Sequence, residues 1–230
     1  MLTLRHSWIV GILGLAPLAA APASPAGKMS AAELDNFIET YYQHPRPELI
    51  AASIESVEAA GWVQNRAAGY VGFLSEILLA NPPRMQDWRR LISRQDPALQ
   101  EYLRPAFDLA ISGGLLAGRR NPSPELTDLY WGAFFASGNP AYLEKLVQVL
   151  RFVDERRDQN LFFAGGTAKW SLVANAAKHP LVLGFLRDAA KSTDQRTGEI
   201  IQAMLKQAPE DVAREIRDVV DRQKAAGVWK

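Results

Sequence analysis

Few side chains in this sequence have the types and spacing that catalysis or metal binding requires. Beyond the first 23 residues the chain contains two histidines, His44 and His179, and each directly precedes a proline. Neither has the His-x-x-x-His or His-Glu spacing of a helix-borne metal site. We interpret both as structural residues at helix corners and keep them as weak site candidates. We expect no metal and no cofactor.

Nucleophilic chemistry has even less support. The chain has no cysteine, which excludes disulfides, thiolate catalysis and thiolate metal sites. It also has no Gly-x-Ser-x-Gly elbow. Gly165-Gly166 lacks the Gly-Lys-Ser/Thr ending of a phosphate loop, and we interpret this pair as the corner before a helix capped by Thr167.

Carboxylates leave one enzymatic alternative open, because some cell-wall glycan hydrolases use only one or two. A catalytic carboxylate would be a buried or cleft-facing Glu or Asp with a raised pKa. Isolated glutamates on helices are usually solvated, so we favour a non-enzymatic role. The glutamates considered are Glu33, Glu39, Glu76, Glu101 and Glu125.

An aromatic cluster is the strongest candidate for a site. In "LYWGAFF", helical spacing places Tyr130 and Phe134 on one face and Trp131 and Phe135 on the adjacent face. Two interpretations follow: a buried helix with large side chains, or a concave groove that binds a peptide or glycan strand. The predicted partner-binding residues are Tyr130, Trp131, Phe134, Phe135, Trp170 and Asn175.

The elements that position these residues all read as helices. Apolar residues recur at spacings of three and four, and no segment shows a convincing alternation of β-branched residues. Gly138-Asn139-Pro140 combines a helix stop, an N-cap and a first-turn proline, and Asn-Pro or His-Pro occurs at similar corners elsewhere. The sequence therefore predicts an all-α fold of about eleven helices.

The corners also have a partial period. Prolines 45, 82 and 122 are 37 and 40 residues apart, and prolines 140 and 180 are again 40 apart. Repeats of this length are typical of stacked helical hairpins. We favour an irregular α-solenoid-like stack, with a multi-helix bundle as the alternative. Residues 24–230 form one predicted domain.

The N-terminus predicts export. The apolar run "WIVGILGLAPLAA" is followed by Ala21-Pro22-Ala23, a small-x-small cleavage pattern, so residues 1–23 are interpreted as a signal peptide. We expect a periplasmic protein, with an extracellular one as the second possibility. No other stretch is apolar enough to span a membrane, so the mature chain is expected to have no membrane span.

Charge excludes one class of partner. The 26 Lys and Arg nearly balance the 25 Asp and Glu, so the chain offers no long-range attraction for a polyanion. We expect no nucleic-acid partner. Another envelope protein fits better, whereas the sequence gives no indication of the oligomeric state.

"LYWGAFFASGNPAYLEKL" followed by "AAKHPLV" resembles exported bacterial all-helical proteins of uncharacterised function, over about residues 30 to 190. The resemblance carries no catalytic residue and implies only export and a helical fold. From the residues themselves we predict a protein-binding module: an adaptor, an assembly factor or an immunity-type inhibitor. The alternatives are a glycan hydrolase with a helix-borne carboxylate and a small-ligand binder with an aromatic pocket.

Overall fold

A computed structural model describes residues 27–62, 67–118 and 120–229, and these residues contain eleven α-helices. Short 3-10 turns at Pro47–Leu49, Pro82–Arg84, Leu115–Ala117 and Leu150–Phe152 connect some of them. The helices are α1 Ala31–Thr40, α2 Ile50–Ser56, α3 Ala67–Ala80, α4 Met85–Ile92, α5 Pro97–Ile111, α6 Pro124–Ser137, α7 Pro140–Val149, α8 Gln159–Lys178, α9 Pro180–Ser192, α10 Gln195–Met204 and α11 Pro209–Ala225.

Local capping chemistry ends α6 and begins α7 as the sequence predicts. Gly138 ends α6 with a φ of 65°, a left-handed conformation that glycine adopts without steric cost. The Asn139 side chain then accepts a hydrogen bond of 3.0 Å from the Ala141 amide, and Pro140 is the first residue of α7. The all-α prediction is confirmed, as is the number of helices.

Glycines allow α3 and α6 to touch backbone to backbone. A Cβ atom placed on Gly132 would lie 1.8 Å from the Gly69 carbonyl oxygen, and one on Gly72 would lie 2.1 Å from the Leu129 carbonyl oxygen. Side chains on these glycines would hold the two helices apart. The contact between α3 and α6 is therefore the most extensive between any two described helices.

The other helices pack around this pair in two different ways. In the first half, α3 contacts α5 and α6 more than its neighbours in sequence, an arrangement typical of a bundle. In the second half, α8, α9 and α10 contact one another in chain order, as in a stack, and α11 folds back on α8. One continuous core joins both halves, from Leu34 in α1 to Val212 in α11. The described residues thus combine the two arrangements that the sequence left open, a bundle in the first half and a stack in the second.

The predicted corner at Gly165-Gly166 is wrong. Both glycines lie inside α8, whose N-cap is Asp158, with its carboxylate accepting from the amides of Asn160 and Leu161. A Cβ on Gly165 would lie 2.6 Å from backbone atoms of Phe152 and Val153. The glycine therefore permits close packing of two elements and does not end a helix.

The described helices include none that combines the length and the apolar character needed to cross a membrane. The predicted signal peptide, residues 1–23, lies outside the described residues.

The glycine contact between α3 and α6 leads to a stability prediction. Gly132→Ala is expected to lower the free energy of unfolding by more than about 3 kcal/mol, because its methyl group overlaps the backbone of α3. Gly184→Ala is the control, since nothing lies within 4 Å of a Cβ at that helical position. The free energy of unfolding of Gly184→Ala is expected to rise by about 1 kcal/mol. Denaturant unfolding compares them, and equal stabilities would contradict the packing described.

Candidate functional site

A concave groove of about 370 Å³ opens on one side of the contact between α3 and α6. Residues of α1, α6 and α8, together with Trp62 and the first turn of α3, form its walls. The lining residues are Ile38, Glu39, Trp62, Gly69, Asp128, Trp131, Gly132, Phe135, Trp170, Ser171, Ala174, Asn175 and Lys178. We call this feature the aromatic groove.

The apolar wall of the aromatic groove contains three predicted residues. The rings of Trp131 and Phe135 stack with centroids 5.6 Å apart, and both side chains are largely buried, so only their edges reach the groove. The Trp170 side chain is 43% exposed. A large solvated indole beside a buried aromatic pair is typical of a binding surface, because tryptophan is enriched among residues that dominate interface energies.

Hydrogen bonds hold two of the indoles in place. Trp131 donates from Nε1 to the Ser171 hydroxyl at 2.8 Å, and Ser171 donates in turn to the Ala168 carbonyl at 3.2 Å. Trp62 donates from Nε1 to the Asp35 carboxylate at 2.7 Å. Both indole N–H groups are thus used within the fold, and these rings offer apolar surface to the groove.

Asn175 differs from the indoles because it keeps part of its hydrogen-bonding capacity. Its Nδ2 donates to the Ser171 carbonyl one turn earlier, at 2.9 Å. Among the described residues, neither Asn175 Oδ1 nor the Nε1 of Trp170 has a hydrogen-bond partner. Asn175 Oδ1 and Trp170 Nε1 are therefore an acceptor and a donor that the described fold does not use.

An ion pair forms one end of the aromatic groove. Lys178 Nζ lies 3.4 Å from a Glu39 carboxylate oxygen, which joins the end of α8 to α1. Both side chains are partly exposed, so water weakens the pair and its contribution to stability is small. Asp128, on α6, adds a second carboxylate to the lining.

His179 lies behind this end of the groove as the N-cap residue of α9, although its side chain makes no capping bond. Its imidazole is 4% exposed and lies against the Phe135 ring, with centroids 5.3 Å apart. Its Nδ1 lies 3.1 Å from the Tyr42 hydroxyl. Burial lowers the pKa of His179, the Glu39 carboxylate opposes this effect and the Lys178 ammonium adds to it. His44, by contrast, is exposed.

The structure separates the predicted aromatic cluster into two groups. Trp131, Phe135, Trp170 and Asn175 line one groove, as the second interpretation of the cluster requires. All four rings of α6 are buried in the core, as the first interpretation requires, but Tyr130 and Phe134 do not line the groove, and the Tyr130 ring lies 6.2 Å from that of Tyr142. The division follows the two helix faces that the spacing predicts.

Sequence reasoning missed Asp128, Lys178 and Trp62, and it considered Glu39 only as a possible hydrolase carboxylate. Asp128 and Lys178 lie three residues before Trp131 and three after Asn175, so extending each helical face by one turn would have found them. Glu39 and Trp62 come from other elements, and their proximity to α6 depends on tertiary packing. No spacing in the sequence indicates this proximity to α6.

A second polar feature lies in the core, outside the aromatic groove. The Glu76 side chain on α3 is 9% exposed, and its Oε1 has no hydrogen-bond partner among the described residues. A Cβ on Gly114, whose φ is 87°, would lie 3.2 Å from this oxygen. Burial raises the pKa of Glu76, and its hydrogen bond with the Tyr142 hydroxyl opposes the rise. This is the buried carboxylate with a raised pKa that the hydrolase alternative predicts, but it lies among core side chains.

Comparisons with known proteins assign nothing further, because no family model, curated protein or solved structure matches this chain. Within the described part of the chain, no group of three or more His, Asp or Glu side chains is placed to hold a metal ion.

The buried Trp131 and the exposed Trp170 predict different costs of truncation. Trp131→Ala is expected to lower the free energy of unfolding by about 3–5 kcal/mol, because it removes a buried ring and leaves the Ser171 hydroxyl without its donor. Trp170→Ala is expected to cost about 1 kcal/mol or less, because the side chain is well exposed. Chemical denaturation measures both, and a larger cost at Trp170 would show that this residue is structural.

Glu76 predicts a pH dependence of stability. Its pKa in the folded state lies above the unfolded value, so its favourable contribution is complete below about pH 4.3 and is lost as the pH rises through the folded pKa. Relative to Glu76→Gln, the native chain is therefore expected to lose stability as the pH rises from 4 to 7. Urea unfolding of Glu144→Gln, an exposed glutamate on α7, provides the control. If the difference in the free energy of unfolding between the native chain and Glu76→Gln stayed constant from pH 4 to 7, the prediction would be refuted.

Proposed function

We propose that this chain is a binding protein whose aromatic groove holds an extended polypeptide segment of another protein. One observation carries the proposal: the stacked Trp131–Phe135 pair, the exposed Trp170 and unused hydrogen-bonding groups lie together in one concave surface. Apolar surface with a few well-placed polar groups is the usual composition of a binding site.

The apolar part of the groove suits one large side chain of the partner. A volume of about 370 Å³ accommodates an aromatic or branched aliphatic group between Trp170 and the edges of Trp131 and Phe135. Burying such a side chain contributes about 1.5–3 kcal/mol. The fixed indole of Trp131 supports this role, because a rigid wall loses little entropy on binding.

The polar part of the groove suits a peptide backbone. Asn175 Oδ1 accepts a hydrogen bond, and Trp170 Nε1–H donates one, so the pair matches the N–H and C=O groups that an extended peptide presents. Lys178 and Glu39 at one end of the groove add a charge of each sign.

Binding is better supported than hydrolysis. Glu39 is the lining glutamate on α1, and it is paired with Lys178. Glu76 has a raised pKa but lies among core residues, against Gly114 and Tyr142. A glycan strand remains the second candidate, favoured by the exposed Trp170 indole, on which a sugar ring can stack.

The signal-peptide pattern supports a proposed location of this activity in the cell envelope. The chain would act in the periplasm, with the extracellular space as the second possibility, as an adaptor, an assembly factor or an immunity-type inhibitor. Its partner would be another envelope protein.

Selection from a phage library of random dodecapeptides tests the proposal. The purified chain is expected to enrich peptides that share an aromatic or branched aliphatic anchor. The affinity of a selected peptide is expected to fall about tenfold or more for Trp170→Ala, as for an interface residue worth at least about 1.4 kcal/mol.

Leu181→Ala is the matched control, because Leu181 is exposed to 42% and does not line the groove. This variant is expected to bind the peptide as the native chain does. Equal weakening by both substitutions, or no enrichment at all, would contradict the proposal. Binding of N-acetylglucosamine oligomers that depends on Trp170, without peptide binding, would favour the glycan candidate instead.

A further inference from the structure

His179 is a deeply buried polar side chain next to the aromatic groove. Its imidazole contacts the Phe135 ring on one side and the Tyr42 ring on the other, with centroid distances of 5.3 and 5.9 Å. Its Nε2 is buried and has no hydrogen-bond partner among the described residues. A buried imidazole is costly to charge, because burial removes the water that would stabilise the cation and the hydrogen on Nε2 has no acceptor.

The hydrogen bonds around Tyr42 favour the neutral imidazole. Gln43 donates from Nε2 to the Tyr42 oxygen at 2.8 Å, which leaves the Tyr42 hydroxyl hydrogen available for His179 Nδ1. A protonated His179 carries hydrogens on both nitrogens and accepts none. Protonation therefore removes the acceptor for the Tyr42 hydroxyl and adds a positive charge beside Phe135.

Charged groups on two helices have opposite effects on the pKa of this imidazole. Glu39 on α1 favours the imidazolium, whereas Lys178 on α8 disfavours it, and the two are themselves paired at 3.4 Å. Burial is the dominant influence on the pKa of His179 and lowers it. Three lining residues of the groove, Phe135, Glu39 and Lys178, are thus also the surroundings of His179.

We propose that His179 makes the aromatic groove release its ligand under mildly acidic conditions, an inference that rests on the proposed peptide-binding function. A peptide seated on Phe135 and on the Glu39–Lys178 pair displaces water from this end of the groove, so a charge on the buried imidazole would lie farther from solvent. The bound form therefore excludes the imidazolium more strongly than the free form does. Ligand binding and protonation of His179 oppose each other, and the affinity falls with pH.

Affinity measurements at two pH values test this inference. The probe is a library-selected dodecapeptide without His, Asp or Glu, labelled with fluorescein and followed by anisotropy at pH 7.5 and 5.0. For the native chain the affinity is expected to be lower at pH 5.0 than at pH 7.5, because only the neutral fraction binds fully.

His179→Asn and His44→Asn are the matched variants, since each replaces a histidine that precedes a proline. Asparagine also retains an acceptor for Tyr42 and is a better N-cap than histidine for α9, which supports folding. His179→Asn is expected to bind with nearly the same affinity at both pH values. His44→Asn is expected to behave as the native chain does.

A spectroscopic measurement separates this inference from the function on which it rests. In ¹H–¹³C spectra of histidine-labelled chain, the peptide is expected to lower the pH at which His179 Cε1–H titrates. An unchanged titration of His179, or equal losses of affinity in His179→Asn and the native chain, would overturn the inference. The proposed function would survive those results if Trp170→Ala still lowered the affinity about tenfold or more at pH 7.5 and Leu181→Ala did not.

Discussion

The rest of this structure depends on the close contact between α3 and α6. Gly72 and Gly132 let the two backbones meet where any side chain would collide with a carbonyl group. This contact brings Trp62 and the first turn of α3 to the face of α6 that carries Trp131 and Phe135. One wall of the aromatic groove is therefore a product of helix packing, and its shape is fixed by groups that cannot move without unfolding the core.

Polar groups in the interior refine that packing. Ser171 links Trp131 to α8, and Tyr42 links α1 to His179 at the start of α9. Each bond joins elements that are distant in the sequence, so the groove is assembled only when α1, α6, α8 and α9 are all in place. Such satisfied polar contacts orient side chains more than they stabilise the fold, because their net free energies are modest.

Much of the fold could be predicted because its signals are local. Asn139 and Pro140 start a helix through bonds within four residues, and helical spacing alone divides Tyr130 and Phe134 from Trp131 and Phe135. Gly165 was misjudged because a glycine inside a helix and a glycine at a corner look alike in sequence. Only the approach of Phe152 to its backbone distinguishes them.

The candidate site could be predicted only where it lies on a single helix face. Trp131, Phe135, Trp170 and Asn175 were identified from α6 and α8, whereas Trp62 and Glu39 depend on tertiary contacts that no periodicity encodes. The burial of Glu76 was also invisible, since its position on α3 resembles that of any solvated glutamate until Gly114 and Tyr142 cover it.

The central claim, that the aromatic groove binds a peptide segment, is tested most directly by ¹⁹F spectroscopy. The chain is labelled with 5-fluorotryptophan, each signal is assigned by single Trp→Phe substitutions, and a library-selected dodecapeptide is added. We expect the signals of Trp131 and Trp170 to shift, while those of Trp88 and Trp229, which lie outside the groove, stay unchanged. Shifts confined to Trp88 or Trp229 would place the ligand elsewhere and contradict the account.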